Sequence, residues 1–491
     1  MNRPFTLCLT ILLLLCGCRT EETVPQKTAQ QQAPPPASLP LVQAGCTGCH
    51  GDVQLDPAHQ FACTACHGGN DKEQQTDKAH NGLIAQPSHP DRMTVTCGGC
   101  HPNQVKAASN SSHFTLANKV NSIRRHFGAE TSLTAAPEVP LAASIASPLT
   151  LADDMLRRRC LRCHVYGKGD EYDAVTHATG CGACHLAFKG GKLHRHAFAK
   201  PTDTQCLSCH YGNYVGSDYH GRYEHDYNWE YRTPYSTQTA HNTAPRPYGV
   251  EYHDLAPDLH QQRGLICIDC HRQSGHPQKK STITCLTCHG WQSPQPPPTL
   301  GNLQVRNQGL ILIGAADNKE HPVPMLRDHA HQRYGRKVAC QVCHGQWSFN
   351  DAPTHLLLTK SPEIEPWERL TVQSSSEVES LLEHNLHYSQ EKPMTMRDGL
   401  TGESRPGIWL QGYGQRRWEQ MIVGKDTDGI IKVFRPLLDL RLSMVEADGQ
   451  VPFDNVIGQG TGMLPYTPHT TGPAGMFFLD RFKHLLPPDP Q

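Results

Sequence analysis

The sequence is poor in the residues that build an ordinary protein core. Only 37% of its residues are hydrophobic and 7% are aromatic, and the mean hydropathy is −0.54. Glycine and proline are abundant instead, with 41 and 38 copies among 491 residues. A chain of this length with so few apolar side chains has difficulty burying a core of its own. We therefore expect another apolar component to fill the interior.

Excess charge and long hydrophobic runs are also lacking. The formal net charge is −1 with histidine counted as neutral, which argues against nucleic acid as a partner. The most apolar run, Leu7 to Leu15, is too short to span a bilayer. No later stretch reaches transmembrane length, so no membrane span is expected in the body of the chain.

Cysteine is missing from residues 350–491, and nearly all of it elsewhere follows one pattern. Eighteen of the 21 cysteines occur in nine copies of Cys-x-x-Cys-His, and Cys8, Cys16 and Cys18 are the remainder. In chain order the motifs, numbered 1 to 9, are Cys46, Cys49 and His50; Cys63, Cys66 and His67; Cys97, Cys100 and His101; Cys160, Cys163 and His164; Cys181, Cys184 and His185; Cys206, Cys209 and His210; Cys267, Cys270 and His271; Cys285, Cys288 and His289; and Cys340, Cys343 and His344.

This spacing is the signature of c-type haem attachment. The two cysteines bind the porphyrin edge through thioethers, and the adjoining histidine is an axial ligand of the iron. Zinc sites and disulfide frameworks also use paired cysteines, but neither requires a histidine directly after each second cysteine. The sequence therefore predicts nine covalently attached c-type haems (Fe) that form the core. The predicted fold is a mostly irregular and α multihaem cytochrome with little sheet in residues 45–350.

The N-terminal segment predicts export. Arg3 precedes the run from Leu7 to Leu15, as in a cleaved signal peptide. The ending Leu15-Cys16-Gly17-Cys18 resembles a bacterial lipobox, whose cysteine is lipidated; an ordinary secretory peptide is the alternative. Arg19, in place of the aspartate that retains such lipoproteins in the inner membrane, favours the outer membrane, with the protein facing the periplasm or the cell surface. Cys18 would then join the chain to the lipid bilayer.

Six segments are expected from these signals. Residues 18–44 are rich in proline and glutamine and have no aromatic residue, which is typical of a flexible tether. Motif spacing divides the next part into three groups of three, each opening with a close pair of motifs. The expected segments are a signal peptide at 1–17, the tether at 18–44, triheme units at 45–150, 151–260 and 261–350, and a haem-free β-rich module at 351–491.

Each triheme unit resembles a small cytochrome of the c7 kind, which is related to the tetrahaem c3 fold. The resemblance rests on the motif triplets and on a histidine just ahead of a motif, as in His59-Gln60-Phe61-Ala62-Cys63 and His177-Ala178-Thr179-Gly180-Cys181. In that family such histidines are sixth ligands, which give low-potential haems that only pass electrons. This chain departs from the family because His50 is its first histidine. Unit 1 must therefore take sixth ligands from His80, His89, His113 or His126.

Position within the repeat selects the other sixth ligands. One histidine separates the first two motifs of every unit, and these three are His59, His177 and His276. Four more precede a motif at short distance and are further candidates, namely His89, His196, His260 and His331. The ten methionines show no repeating relation to the motifs, so methionine ligation is not expected for most sites.

Two segments differ from the repeats. Tyrosines and histidines are interleaved from Tyr211 to Tyr252, and they either pack against haems or line an open haem. Residues 351–491 alternate like strands around Ile430 to Phe434 and Leu438 to Val445. This module either stabilises the last unit, docks a membrane partner or caps a haem, and His384, His387 or His469 could supply a ligand from it.

Two functions are consistent with these features. The chain resembles the multihaem lipoprotein cytochromes of metal-respiring bacteria, some of which work beside porins. That resemblance implies electron transfer at or across the outer membrane, with other c-type cytochromes and an outer-membrane porin as partners and no catalytic residue. The alternative is a reductase that converts an inorganic oxyanion at one open haem near the tyrosine-rich segment. The surplus of histidines over sixth positions favours electron transfer.

Overall fold

The computed structural model describes most of the chain beyond the tether. The described residues are 45–51, 53–169, 175–210, 216, 218–225, 251–271, 283–298, 300–326, 328–348, 350–351, 354–363, 384–386, 393–411, 416–417, 421–437, 440–459 and 462–487. Residues 44–491 cluster as one unit by their internal contacts. The predictions for Cys18, the tether, His276, His387 and most of the segment from Tyr211 to Tyr252 lie outside the described residues.

Short helices dominate the first two thirds of the described chain. They are α1 Cys46–Cys49, α2 Thr64–His67, α3 Thr76–Ala79, α4 Met93–Thr96, α5 Pro102–Ser109, α6 Ser112–Thr115, α7 Ala117–His126, α8 Pro148–Met155, α9 Cys181–His185, α10 Asp203–Leu207, α11 Leu259–Gln262, α12 Cys267–Cys270, α13 Cys285–His289, α14 His329–Tyr334 and α15 Cys340–His344. No helix in the described ranges is both long and apolar enough to cross a membrane.

The strands form several small sheets. They are β1 Phe188–Lys189, β2 Lys192–Leu193, β3 Arg222–His225, β4 Glu251–Asp254, β5 Leu303–Arg306, β6 Gly309–Ile313, β7 Glu320–Pro322, β8 Asn350–Asp351, β9 Thr354–Thr359, β10 Thr395–Arg397, β11 Ser404–Pro406, β12 Ile408–Gln411, β13 Arg416–Arg417, β14 Ile422–Lys425, β15 Ile431–Leu437, β16 Leu440–Val445, β17 Phe453–Ile457 and β18 Gly462–Pro465.

Two sheets organise the C-terminal part of the chain. The larger has the order β12-β9-β16-β17, in which β16 pairs parallel with β9 and the other pairs are antiparallel. The smaller is the antiparallel sheet β14-β15-β18. A second three-stranded sheet, β5-β6-β7, lies between motifs 8 and 9 in the sequence. The structure is thus a mixture of short helices and small sheets.

The larger C-terminal sheet packs on α7 and α8, which precede motif 4. One apolar cluster joins Val120 and Leu151 of these helices to Leu358, Trp409 and Leu442 of the sheet. The helix α8 begins where sequence signals place a start, because Ser147 caps it and proline occupies its first position. Residues 351–491 therefore cover the junction between the first two predicted units.

One buried ion pair and one hydrogen bond cross this contact, and a second ion pair lies within the helical segment. The Arg157 guanidinium lies 2.6 Å from a carboxylate oxygen of Asp398, and that of Arg158 lies 2.6 Å from one of Asp154. The Trp409 indole N–H donates to Asp154 at 2.8 Å. All five side chains are buried. The C-terminal sheet thus holds the helix that leads directly into motif 4.

The smaller C-terminal sheet packs on the other end of the motif series. Ile431 and Val433 of β15 share an apolar cluster with Val338 and Val342 at motif 9 and with Phe482 near the C-terminus. Residues 351–491 therefore contact both motif 4 and motif 9, and not the last unit alone.

Candidate haem-ligand sites

Eight of the nine motifs form a single helical turn. The backbone N–H of the motif histidine donates to the carbonyl of the first cysteine, at 2.9 Å in motifs 1 and 2 and 2.8 Å in motif 3. One turn places residues three and four positions apart on one face. The two thiols and the following imidazole are thereby directed to the same side, as attachment of one macrocycle requires.

Motif 4 has a different backbone. A π-helical turn, Leu156–Cys160, and a 3-10 turn, Leu161–Cys163, replace the α-helical turn. The His164 N–H accordingly donates to Leu161 and not to Cys160. Such π-helical turns are frequent at functional sites.

Seven motif histidines face a second imidazole. The ring-centroid separations are 6.2 Å for His50 and His80, 5.6 Å for His67 and His196, 6.2 Å for His101 and His59, 6.3 Å for His210 and His113, 6.2 Å for His271 and His469, 6.1 Å for His289 and His260, and 5.9 Å for His344 and His331. Each pair joins one motif histidine to one histidine from outside the motifs.

This spacing fits two axial ligands on opposite faces of one metal. Metal–nitrogen bonds of about 2.0–2.1 Å, with each ring centre roughly 1.1 Å behind its nitrogen, place two such centroids about 6.3 Å apart. Two imidazoles supply only the axial positions, so the equatorial positions require a planar ligand. A haem held by the adjacent cysteines meets that requirement.

Hydrogen bonds orient many of these rings through Nδ1. Nδ1–H groups donate to backbone carbonyls at His67 (Ile84, 2.9 Å), His289 (Pro324, 2.9 Å) and His344 (Gly472, 3.0 Å), and to carboxylates at His59 (Asp56, 2.9 Å) and His260 (Asp258, 2.8 Å). Metal-ligating histidines characteristically donate their other ring N–H in this way. The arrangement leaves Nε2 available to a metal.

Burial keeps several of the imidazoles neutral, which is the form that binds metal. Burial, followed by the nearby imidazole of His113, lowers the pKa of His210 to about 4. Burial also lowers the pKa of His271 and His289. His260 differs, because its hydrogen bond with Asp258 raises its pKa. That carboxylate makes His260 a more basic ligand.

The proposed sixth ligands have different positions. His59, His196, His260 and His331 each belong to a pair. His276 lies outside the described residues. The remaining two candidates, His89 and His177, have other neighbours. The His89 ring lies edge-on to Tyr166 at 5.2 Å, whereas His177 contacts the Ala178 carbonyl at 2.7 Å and the Cys209 sulfur at 3.5 Å.

Sequence position did not assign three of the partners. His80 and His113 are two of the four candidates for unit 1, and His469 is one of three candidates in the C-terminal module. His113 pairs with His210 and His469 with His271, across about a hundred or more residues. No local spacing rule indicates such pairs.

His164 and His185 complete the set of motif histidines. The His185 Nδ1–H donates to Ala199 at 2.9 Å. His164 is 6% exposed, and burial lowers its pKa to about 4. The Tyr166 ring stacks on it at 5.4 Å, and the imidazoles of His113 and His177 lie within electrostatic range.

Comparisons with known proteins give no further guide to the site. No protein-family model, no curated protein and no solved structure matches the chain. Among the residues that the structure describes, no group of three or more histidine, cysteine, aspartate or glutamate side chains could hold a metal ion. The functional argument therefore rests on the motifs and on the imidazole pairs.

Proposed function

We propose that the chain is a nine-haem c-type cytochrome that relays electrons and carries out no substrate chemistry of its own. The observation that carries this proposal is the set of seven imidazole pairs, each joining a motif histidine to a second histidine at 5.6–6.3 Å. A site with two histidine ligands has no position for a substrate. Bound haem would supply one-electron redox chemistry.

The residues of the chain position each site and set its potential. Motif cysteines fix the macrocycle edge, and the Nδ1 hydrogen bonds fix the planes of the axial imidazoles. Carboxylates on ligand histidines, such as Asp56 on His59 and Asp258 on His260, increase electron donation to the metal. These two sites are expected to have lower potentials than sites whose ligands donate to backbone carbonyls.

Haem content and spin state test the proposal. The protein should be produced in a host that attaches c-type haem, and its intact mass should show nine haems. Electron paramagnetic resonance (EPR) of the oxidised protein should then show low-spin ferric signals that integrate to all nine haems. A mass that shows zinc or disulfides in place of haem would refute the proposal.

A stoichiometric high-spin signal would favour the second candidate, a reductase acting on an inorganic oxyanion. The specific observation in its support is the phenol ring of Tyr166, which stacks on the His164 imidazole at 5.4 Å. Tyrosine can donate a proton or a hydrogen bond to a bound oxyanion. Added nitrite or sulfite should then shift the high-spin signal.

The proposed location is the outer membrane, with lipid on Cys18 and the tether at 18–44 joining it to the body. Its support is the sequence Leu15-Cys16-Gly17-Cys18. Other c-type cytochromes, and a porin in that membrane, are the proposed partners. Labelled palmitate should be incorporated by the native chain and not by Cys18→Ala, and membrane fractionation should show the variant released.

A further inference from the structure

Proximity between cysteines of different motifs indicates which of the nine sites are neighbours. Thiols of different motifs lie within interaction range of each other in four pairs, namely Cys46 with Cys63, Cys97 with Cys181, Cys206 with Cys267, and Cys285 with Cys340. In the third pair, helices α10 and α12 also pack together. The cysteine sulfurs are the attachment points on the porphyrin edge. Proximity between them therefore means that two haem edges approach closely. The four pairs join motifs 1 and 2, 3 and 5, 6 and 7, and 8 and 9.

Other contacts connect these four pairs to each other. Helix α2 of motif 2 packs on α4, which leads into motif 3. Helix α9 of motif 5 packs on α10 of motif 6, and the thiol of Cys184 lies within electrostatic range of Cys206. The thiol of Cys270 in motif 7 lies near Cys288 and Cys285 of motif 8. The contacts now run continuously from motif 1 to motif 9 without passing through motif 4.

Several contacts hold motif 3 close to motif 5. The Cys181 sulfur lies 3.9 Å from the Met93 sulfur, and the Cys181 N–H donates to the Ser88 carbonyl. The Ser88 hydroxyl in turn donates to the Thr179 carbonyl at 2.8 Å, and both residues are buried. Segments about ninety residues apart are thereby held together around these two motifs.

Motif 4 joins the others at motif 6. The Cys209 thiol of motif 6 donates to the Cys163 carbonyl at 3.0 Å. His164 lies beside His113, whose ring pairs with His210 of motif 6. The loop after motif 4 also reaches Gly180, just ahead of motif 5, through the Val165 carbonyl. The cysteines of motif 5, however, contact motifs 3 and 6.

We propose that electrons follow the order of motifs 1, 2, 3, 5, 6, 7, 8 and 9, and that motif 4 is a side branch attached at motif 6. This order rests on the proposed function, since it assumes that each motif carries a haem. It differs from the sequence order at one place. The path skips motif 4, which the C-terminal region holds through the ion pair of Arg157 with Asp398. Motif 6 is then the junction of three neighbours.

Iron positions in the haem-loaded full chain give the direct test. Anomalous scattering at the iron edge, or a cryo-electron-microscopy map, should place the iron of motif 3 next to that of motif 5 and the iron of motif 4 next to that of motif 6. An iron of motif 4 lying between those of motifs 3 and 5 would overturn the order. A chain with fewer than nine haems by intact mass would instead contradict the proposed function, so the two failures are distinguishable.

Redox coupling in solution provides the second measurement. Methionine raises the potential of a haem when it replaces an axial histidine, so that haem is reduced earlier in a titration. The charge of its reduced state then shifts the potentials of neighbouring haems. We expect His164→Met to shift the reduction potential of one other haem, and His210→Met to shift those of three. Redox titrations followed by the nuclear magnetic resonance of haem methyl groups would measure these shifts. His344→Met, at the end of the proposed order, is the matched control and should shift one. Two shifted neighbours in His164→Met, at motifs 3 and 5, would refute the branch.

Discussion

At the residue scale, His469 connects the cysteine-free C-terminal region to a candidate haem site. Its ring centroid lies 6.2 Å from that of His271 in motif 7. If His469 is the sixth ligand there, its removal opens one iron and leaves the others unchanged. We predict that His469→Ala converts one low-spin site per molecule to high spin, measured by EPR and by carbon monoxide binding to the reduced protein.

The matched control is His484→Ala, because His484 is exposed and lies in the same region of the chain. It should keep the spectrum of the native protein. An unchanged spectrum for His469→Ala would show that His469 and His271 are neighbours without being ligands of one metal.

Asp398 is the second residue whose role can be tested. Its carboxylate pairs with Arg157 at 2.6 and 3.0 Å, and its side chain is fully buried. Burial opposes ionisation, but hydrogen bonds from Arg157, Leu400 and Thr401 outweigh it and lower the pKa of Asp398. Removing one partner of a buried pair costs about 3–5 kcal/mol. Asp398→Asn should therefore lower the free energy of unfolding by an amount of that order at pH 7, measured by denaturant titration.

The pH dependence follows from the direction of that pKa shift. A carboxyl group with a lowered folded-state pKa stabilises the fold above its unfolded pKa of about 3.9, and this stability is lost as the pH falls. The difference between the native chain and Asp398→Asn should therefore shrink below about pH 4. Glu446→Gln, which breaks the more exposed pair with Lys360, should cost less than about 1 kcal/mol. Equal losses in the two variants would contradict the role of Asp398.

The sequence identifies the motif residues far better than it identifies the histidines that pair with them. A motif is encoded within five consecutive residues, so His50 and its eight equivalents can be located without a structure. A partner such as His113 is selected by packing between distant segments, and the nearest histidine in the sequence is often not the one that pairs. His59 illustrates this, because it lies four residues before motif 2 but pairs with His101 of motif 3.

At the element scale, the turn ahead of motif 5 depends on Gly180. Its φ is +53°, a conformation that costs other residues energy, and an added Cβ would lie 1.7 Å from the Ser88 carbonyl oxygen. Gly180→Ala must therefore displace the segment that holds motif 5 against motif 3. We expect it to lower the free energy of unfolding by more than about 1–3 kcal/mol, the usual cost of backbone strain alone.

Gly190 provides a matched control for Gly180. It has nearly the same φ of +57°, but an added Cβ there would meet nothing within 4 Å. Gly190→Ala should therefore show the conformational cost without the clash, and thermal unfolding should separate the two variants. Similar melting temperatures would mean that the Ser88 contact does not constrain motif 5.

Elements were predictable to different degrees for physical reasons. Strands β15 and β16 occupy the segments that alternate in the sequence, because alternation reports a sheet with one buried face. The parallel pairing of β16 with β9 has no local signal, since these strands are separated by about eighty residues. Capping by Ser147 and Pro148 marks the start of α8, but nothing local indicates that a π-helical turn follows it.

At the scale of the whole molecule, residues 351–491 act as a clamp on the part of the chain that carries the motifs. Their larger sheet buries apolar side chains of α7 and α8, and their smaller sheet covers motif 9. Five of the side chains covered by the larger sheet are Val120, Ile123, Leu151, Met155 and Leu156. Exposing five such groups costs roughly 8–15 kcal/mol at about 1.5–3 kcal/mol each. That equals the whole stability of a typical domain, about 5–15 kcal/mol.

Truncation after residue 350 should therefore prevent stable folding even though all nine motifs remain. We expect little haem-loaded protein, and rapid digestion by thermolysin of whatever is recovered. Truncation after residue 487, which retains both sheets and His469, is the control and should resemble the native chain in yield and in protease resistance. A stable nine-haem product ending at residue 350 would show that haem attachment alone organises residues 45–350, and that the C-terminal region is an addition to a core that already folds.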